Sequence, residues 1–376
     1  MYNNAITRRM FLQRGLRWFG MTAIPGLAGA CVGRATGRNR HVVEEARNLT
    51  LKEIAHKKLH HGNGCFLNVF GGPLHGNPWW PSLTQTTRDP DSILYNFSYK
   101  PYYMDEPVVP VSIDWKAVKS TPGLSITFVK HACIMIKDKN QYILVDPLFF
   151  ELPFVQAFTP LDFDLKDMPE PNHVLITHGH YDHLDEPSLA ALDPNTHVIS
   201  PLGYKDIFKD LKMKHRTQLD WFDAFEQDGL EVKLLPCKHW TMRNPLLGAN
   251  DSLCGSFLIK TSSGKTICIS GDTSYFRGFQ EIGREFYIDL AIINLGGYSH
   301  GIPRFMAHLN SRQAVKSFRE LRAKQLLIVH WGSFRLTAEP VHFPPIHLKQ
   351  EMAKSGIADR LVHLNHGETL YYRVYA

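Results

Sequence analysis

The chain has 376 residues, 44% hydrophobic and 21% charged, a composition that excludes long disordered stretches. Its formal net charge is +6, but four arginines and no acidic residue fall within the first 30 residues. The rest of the chain is therefore almost balanced in charge, which argues against nucleic acid as a partner.

Residues 1–31 are predicted to be an export signal. Residues 7–13 (TRRMFLQ) resemble a twin-arginine motif, and the moderately apolar stretch that follows is too short for a good transmembrane helix. Residues 28–31 (AGAC) resemble a lipoprotein cleavage site. We therefore expect an exported protein, either periplasmic or attached to the membrane as a lipoprotein through Cys31. A plain basic amphipathic N-terminus is the alternative.

Residues 32–121 are predicted to be an N-terminal arm that wraps the core. Its first part is polar, and residues 62–105 are rich in glycine, proline and aromatic residues, which argues against regular elements. Buried packing is the ordinary role of such aromatics, and lining a lipid or substrate cleft is the alternative. The six cysteines contain no C-x-x-C pair, which excludes a zinc ribbon and leaves a disulfide open.

From residue 122 onward, short apolar runs alternate with helical patterns. Strands are predicted at residues 125–128, 133–136, 142–145, 173–177, 196–200, 231–235, 256–260, 266–270, 290–294 and 325–329. Helices are predicted at residues 187–192, 203–212, 276–286 and 311–321. This mixture predicts an α/β catalytic domain over residues 122–376, with sheets covered by helices.

Side chains that bind metals follow four of these strands. The cluster HGHYDH spans residues 178–183, and its spacing of two, two and one excludes a single helical face. His239, Asp272 and His330 each come shortly after a later strand. Functional sites of layered α/β folds collect at such strand ends, so we expect these side chains to converge on metal ions. Alternatively, Asp272 caps a turn and the two histidines pack beside Trp240 and Trp331.

Several segments together resemble the metallo-β-lactamase superfamily, within it the N-acyl-phosphatidylethanolamine phospholipase D-like branch, with the ascorbate-phosphate lactonase branch nearby. The segments are residues 145–147, 177–185, 236–243, 271–275, 304–308, 330–334 and 366–368. The resemblance covers residues 65–376. It implies an αββα sandwich of two mixed β-sheets flanked by helices.

The resemblance also implies two Zn²⁺ ions per chain and a set of ligands. One ion would be held by His178, His180 and His239, the other by Asp182, His183 and His330, with Asp272 bridging both. Asp182 and His308 are the implied catalytic residues. His308 would bind the substrate phosphate or give a proton to the leaving group, and an ordinary helix-start histidine is the alternative.

The implied activity is that of a phosphodiesterase of phospholipase D type. A metal-bridging hydroxide would attack the phosphorus of an N-acyl-phosphatidylethanolamine-like lipid. The implied partner is a phospholipid or another phosphate-containing small molecule, with peripheral membrane contact. Iron redox relatives usually carry Glu where His180 stands, so the histidine favours hydrolysis.

Two alternatives remain open at this point. One is a lactonase of phosphorylated sugar acids, and the other is a non-catalytic, envelope-attached binding protein. Two departures from the family pattern bear on the substrate pocket. Lys130 replaces the glycine expected before His131, and residues 299–302 also differ.

Overall fold

The computed structural model describes residues 41–71, 108–243, 249–298, 307–337 and 339–372. The predicted export signal with Cys31, the aromatic stretch of the arm at residues 72–107 and the segment 299–302 lie outside these residues. The predicted boundaries of the signal, arm and catalytic domain stay predictions.

The strands form two seven-stranded sheets. The first has the order β14-β1-β2-β3-β4-β5-β6 and the second the order β13-β12-β11-β10-β9-β8-β7. The first contains β1 (Leu124–Lys130), β2 (Cys133–Asp138), β3 (Gln141–Val145), β4 (His173–Leu175), β5 (His197–Pro201), β6 (His215–Leu219) and β14 (Thr369–Tyr371). The second contains β7 (Ala224–Gln227), β8 (Leu230–Leu235), β9 (Ser256–Lys260), β10 (Thr266–Ile269), β11 (Leu290–Asn294), β12 (Gln325–Val329) and β13 (Leu361–Val362).

Both sheets are mixed in strand direction. In the first, β1 to β3 form an antiparallel meander and β3 to β6 run parallel. In the second, β7 to β10 are antiparallel and β10 to β13 run parallel. The predicted α/β architecture of two mixed sheets flanked by helices is thereby confirmed.

Residues 41–46 are helical, and seven further α-helices within the described residues flank the sheets or dock beside them. They are α1 (Leu51–His56), α2 (Trp115–Ser120), α3 (Glu186–Ala190), α4 (Lys205–Asp210), α5 (Gly278–Glu285), α6 (Ser311–Leu321) and α7 (Phe343–Lys354). Asn310 and Gln313 form a capping box that starts α6, and Asp185 caps α3 through the Ser188 amide. Among the described residues, no helix has the length and apolar character needed to cross a membrane.

Strand alternation divides the apolar residues between two cores. On β2, Ile134 and Ile136 belong to the larger cluster, which also contains Phe257 and other residues of the second sheet. Met135, between them, faces the opposite side and joins a cluster with Phe208 of α4. Successive strand residues point to opposite faces, so β2 is buried on both sides. The first sheet therefore packs against the second sheet on one face and against helices on the other, and loops at the strand ends are held by this packing.

The described part of the arm is anchored to the core. Leu51 and Ile54 of α1 are buried in the larger cluster, and the Leu51 amide donates to the Glu281 carboxylate of α5 at 2.8 Å. At the end of this segment, the Asp220 carboxylate accepts from His60 Nε2 at 2.6 Å and from Lys58 Nζ at 2.6 Å. Residues 51–61 are therefore part of the folded unit.

Candidate metal centre

Strand ends from both sheets deliver the predicted side chains to one place. The HGHYDH loop follows β4 of the first sheet, while His239, Asp272 and His330 follow β8, β10 and β12 of the second. Gly179 separates the first two histidines of the loop. A Cβ there would meet Thr241 Oγ1 at 2.6 Å and Tyr204 Cε1 at 2.8 Å, so this close approach requires glycine.

The first group of converging side chains consists of His178, His180, His239 and Asp272. Their possible ligand atoms all lie within 4.8 Å of one another. His180 Nδ1 lies 3.0 Å from His178 Nε2 and 3.3 Å from His239 Nε2. Asp272 Oδ2 lies 3.8 Å from both of those Nε2 atoms. Three imidazole nitrogens and one carboxylate oxygen thus surround a single point.

The second group consists of His131, Asp182, His183 and His330, again with ligand atoms within 4.8 Å of one another. Asp182 Oδ2 lies 3.7 Å from His183 Nε2 and 3.5 Å from His330 Nε2. Asp272 reaches this group as well, since its carboxylate oxygens lie 3.1 Å from His183 Nε2 and 3.3 Å from His330 Nε2. Asp272 therefore lies between the two groups, as a bridging ligand must.

Hydrogen bonds on the far side of the rings fix their orientation. His183 Nδ1 contacts Asp146 Oδ2 at 2.8 Å, and the same oxygen accepts from Thr177 Oγ1 at 2.6 Å. His239 Nδ1 donates to the Ala307 carbonyl at 3.1 Å. Histidines that ligate metals commonly make such a bond with their other nitrogen. Asp146 thereby orients the His183 ring and is itself held by Thr177.

Burial and charge divide the histidines into two kinds. Burial lowers the pKa of His180 to about 4 and that of His239 to about 3, so both rings are neutral at pH 7 and offer a lone pair. Burial alone would also lower the pKa of His330, but the Asp272 and Asp182 carboxylates outweigh it and raise that pKa to about 9. A proton on His330 therefore balances the negative charge of the nearby carboxylates, a role that a bound cation would otherwise take.

The residues present fit a pair of divalent cations. His183 Nε2 and His330 Nε2 are buried and, within the described chain, have no hydrogen bond of good geometry. They face the carboxylate oxygens of Asp272 and Asp182 at 3.1–3.7 Å, an arrangement in which a cation between rings and carboxylates would satisfy both. Imidazole combined with a few carboxylates suits Zn²⁺ and related transition-metal ions.

All seven predicted ligands and His308 meet at this centre. His308 Nδ1 lies 3.7 Å from Asp272 Oδ2, and its side chain is 13% exposed. Asp272, His308 and His330 even form a third set of neighbouring ligand atoms. The geometry brings the predicted residues together, and their roles as ligands and catalytic groups stay predictions.

Sequence reasoning assigned no role to two residues of the centre. Asn294 Nδ2 donates to Asp272 Oδ1 at 2.9 Å, and its only signal was a polar residue at the end of the apolar run LAIIN. His131 Nε2 lies 3.0 Å from Asp182 Oδ2. It lies between two predicted strands, but no spacing to the other histidines marks it as part of the centre.

Residues 141–331 match the Beta-lactamase superfamily domain, and the chain belongs to the metallo-β-lactamase superfamily. Family and site together define the class as metallo-β-lactamase-fold proteins with a candidate metal centre, and the chain spans less than two thirds of the length of the first relatives that it matches. The chain is 26% identical over 306 residues to a mitochondrial N-acyl-phosphatidylethanolamine-hydrolyzing phospholipase D of Saccharomyces cerevisiae, covering 77% of this chain and 64% of the relative.

Two further similarities agree with this class. The chain is 25% identical to N-acyl-phosphatidylethanolamine-hydrolyzing phospholipase D 1 of Caenorhabditis elegans, covering 78% of this chain and 86% of the relative. The crystal structure of isothiocyanate hydrolase from Delia radicum gut bacteria superimposes with a TM-score of 0.57 at 18% identity, covering 67% of this chain and 100% of that one. The structural likeness supports the fold alone.

Proposed function

We propose that this chain is a binuclear zinc phosphodiesterase of phospholipase D type that cleaves N-acyl-phosphatidylethanolamine-like lipids. The observation that carries the proposal is the pair of ligand groups that share Asp272. The names of the yeast and nematode relatives supply the substrate class. The products would be phosphatidic acid and an N-acylethanolamine.

Two divalent cations bound here would lower the pKa of a shared water and neutralise charge on the phosphoryl oxygens. The protein fixes the orientation of the side chains that would hold the cations. Asp146 holds the His183 ring, and Asn294 holds the Asp272 carboxylate between the two groups. Because these bonds exist before substrate binds, little reorganisation is needed during the reaction.

His308 is the proposed proton donor to the leaving oxygen. It stands beside Asp272, and its ring centroid lies 5.3 Å from that of His239 and 5.5 Å from that of His330. An acid at this position would act on the ester oxygen next to the cations. General acid catalysis contributes about 10²- to 10⁴-fold.

Exposed apolar side chains near the centre support a lipid substrate. Phe154 is 71% and Leu336 is 36% exposed. Backbone hydrogen bonds join their segments, because the Phe158 amide donates to the Ser333 carbonyl and the Arg335 amide donates to the Gln156 carbonyl. Both segments adjoin the loop that carries His330. Such a rim would contact acyl chains or a membrane surface, which fits the predicted export to the envelope.

The direct test is hydrolysis of N-acyl-phosphatidylethanolamine in mixed micelles by the zinc-loaded chain, followed by mass spectrometry. We expect release of N-acylethanolamine and phosphatidic acid in equal amounts. His308→Asn should lower kcat by about 10²-fold or more with unchanged zinc content, whereas His215→Asn, at an exposed position on β6, should change neither. Absence of lipid cleavage together with hydrolysis of a sugar-acid lactone would overturn the proposal.

A further inference from the structure

We propose that His131, although its ring lies in the second group, is not a ligand but a positioning residue. It holds the Asp182 carboxylate toward His183 and His330 and so sets the metal affinity at that position. The inference rests on the proposed metal binding, and it assigns a function to a residue outside the seven predicted ligands. Its basis is one contact, the distance of 3.0 Å between His131 Nε2 and Asp182 Oδ2.

Asp182 has one contact outside the predicted ligands, as three of the other ligands have. Asp272 is held by Asn294, His183 by Asp146 and His239 by the Ala307 carbonyl. The contacts described for the Asp182 carboxylate are with His131 and with the His183 and His330 nitrogens that face the cation position. An aspartate with only ligand rings around it could turn away from the metal, and a donor outside the ligand set prevents this.

The backbone around His131 is held in an unfavourable conformation. His131 has φ 55°, in the left-handed region that non-glycine residues rarely adopt. Two other residues of the centre share this property, Asp146 with φ 42° and His330 with φ 72°. Conformations of this kind persist where the surrounding structure fixes them, and they concentrate at functional sites.

Neighbouring groups fix both the backbone and the ring of His131. Its amide donates to Ser333 Oγ at 3.0 Å, and its carbonyl accepts from the His330 amide at 2.7 Å. The ring is 4.0 Å from that of His330 and meets Phe334 edge-on at 5.3 Å, measured between centroids. His131 is 1% exposed. The turn after β1 is thereby tied to the loop after β12, which itself carries a ligand.

A matched pair of substitutions tests the hydrogen bond. His131→Gln keeps an amide donor near the position of Nε2, whereas the shorter His131→Asn tolerates a left-handed backbone but cannot reach Asp182. Phe334→Leu serves as a control, since it alters the packing against the ring and leaves the contact with Asp182 in place. Zinc per chain is measured at buffered free Zn²⁺, and folding is monitored by circular dichroism.

We expect two zinc ions per wild-type chain and a loss of affinity at one site, by about 10- to 100-fold, in His131→Asn. The other site should keep its affinity, and His131→Gln should stay within about tenfold of the wild type. Unchanged affinities in His131→Asn, equal losses in the Asn and Gln variants, or the same loss in Phe334→Leu would overturn the inference. Two-zinc binding without lipid cleavage would contradict only the proposed function.

Discussion

Asp272 is the residue on which both ligand groups depend. Burial would by itself raise the pKa of this carboxyl group, but the imidazoles of His183, His330 and His308 outweigh burial and hold the pKa well below its ordinary value. The side chain is 2% exposed, so the charge of this carboxylate is stabilised almost entirely by its neighbours. A buried carboxylate that stays ionised between two groups of ligand atoms can bind two cations at once, one with each oxygen.

Asp272→Asn removes this charge and keeps the side-chain volume. We expect the variant to bind no more than one zinc ion per chain and to lose at least about 10²-fold in kcat/KM, because an amide oxygen is a weak bridge between two cations. Elemental analysis and the lipid assay measure the two effects. Asp359→Asn, at an exposed position, is the control, and a variant of Asp272 that kept two zinc ions would contradict the assignment.

Spacing in the sequence marked residues that meet at the centre, whereas Asn294 and His131, which contact its two carboxylates, carried no such signal. His178, His180 and Asp182 stand in one short motif, so spacing alone marks them. Asn294 supports Asp272 only because β10 pairs with β11 in parallel, with Ile269 opposite Ile292. His131 meets Asp182 across 51 positions of the chain. Contacts of this kind arise from tertiary structure, on which local patterns carry no information.

At the scale of elements, α5 and α6 approach each other closely at one glycine. A Cβ at Gly283 would lie 2.1 Å from the Glu320 carbonyl oxygen and 2.6 Å from Leu321 Cα. These are backbone atoms of a packed helix, which cannot move as a side-chain end can. The absence of a side chain at Gly283 therefore lets α6 lie against α5.

Gly283→Ala tests this packing. Alanine favours a helix by about 1 kcal/mol over glycine, but overpacking against backbone costs about 1–3 kcal/mol or more. We therefore expect a net loss of stability, measured as a lower urea midpoint with an unchanged m-value. Gln280→Ala, at an exposed position of the same helix, should stay within about 0.5 kcal/mol of the wild type. A more stable Gly283→Ala would refute the packing argument.

Asp220 makes the docking of residues 58–61 dependent on pH. Burial alone would raise its pKa, but hydrogen bonds from His60 and Lys58 outweigh burial and lower the pKa below its ordinary value. A carboxylate with a lowered folded-state pKa contributes stability above the unfolded value of about 4, and this contribution is lost as the pH falls further.

Asp220→Asn should accordingly destabilise the protein by about 1–3 kcal/mol at pH 7. The difference from the wild type should shrink as the pH falls below about 4, because the Asp220 carboxyl group takes up a proton in the unfolded wild-type chain before it does so in the folded one. Denaturant unfolding at a series of pH values measures it. If the difference in unfolding free energy stayed constant down to pH 3, the charge of Asp220 would not be what stabilises this contact.

Edge strands mark the limit of what the sequence predicts about the elements. The ten predicted strands are present, but β6, β7, β13 and β14, which are the edge strands of the two sheets, were not predicted. β6 reads HRTQL and is mostly exposed or half-buried, so it lacks the apolar run that marked the others. An edge strand has a neighbour on one side only and carries charge to prevent aggregation.

At the scale of the whole molecule, the centre joins the two sheets. The first sheet contributes the HGHYDH loop and the turn with His131, while the second contributes His239, Asp272 and His330. Without cations, this centre must hold the buried Asp272 and the half-buried Asp182 carboxylate among several imidazoles, with protons shared between them. If cations were bound here, the same side chains would link the two sheets through them.

Removal of metal should therefore weaken the whole fold and not the loops alone. Ligands that bind only the native state add RT ln(1 + [L]/Kd), about 3–4 kcal/mol for well-occupied sites. For a protein of this size we expect chelation to lower Tm by about 5–10 °C. Calorimetry of the zinc-loaded chain with and without chelator measures the shift, and added zinc should reverse it. Asp272→Asn should respond to chelator by a smaller shift. If chelation left the Tm of the zinc-loaded wild type unchanged, the ions would not link the two sheets.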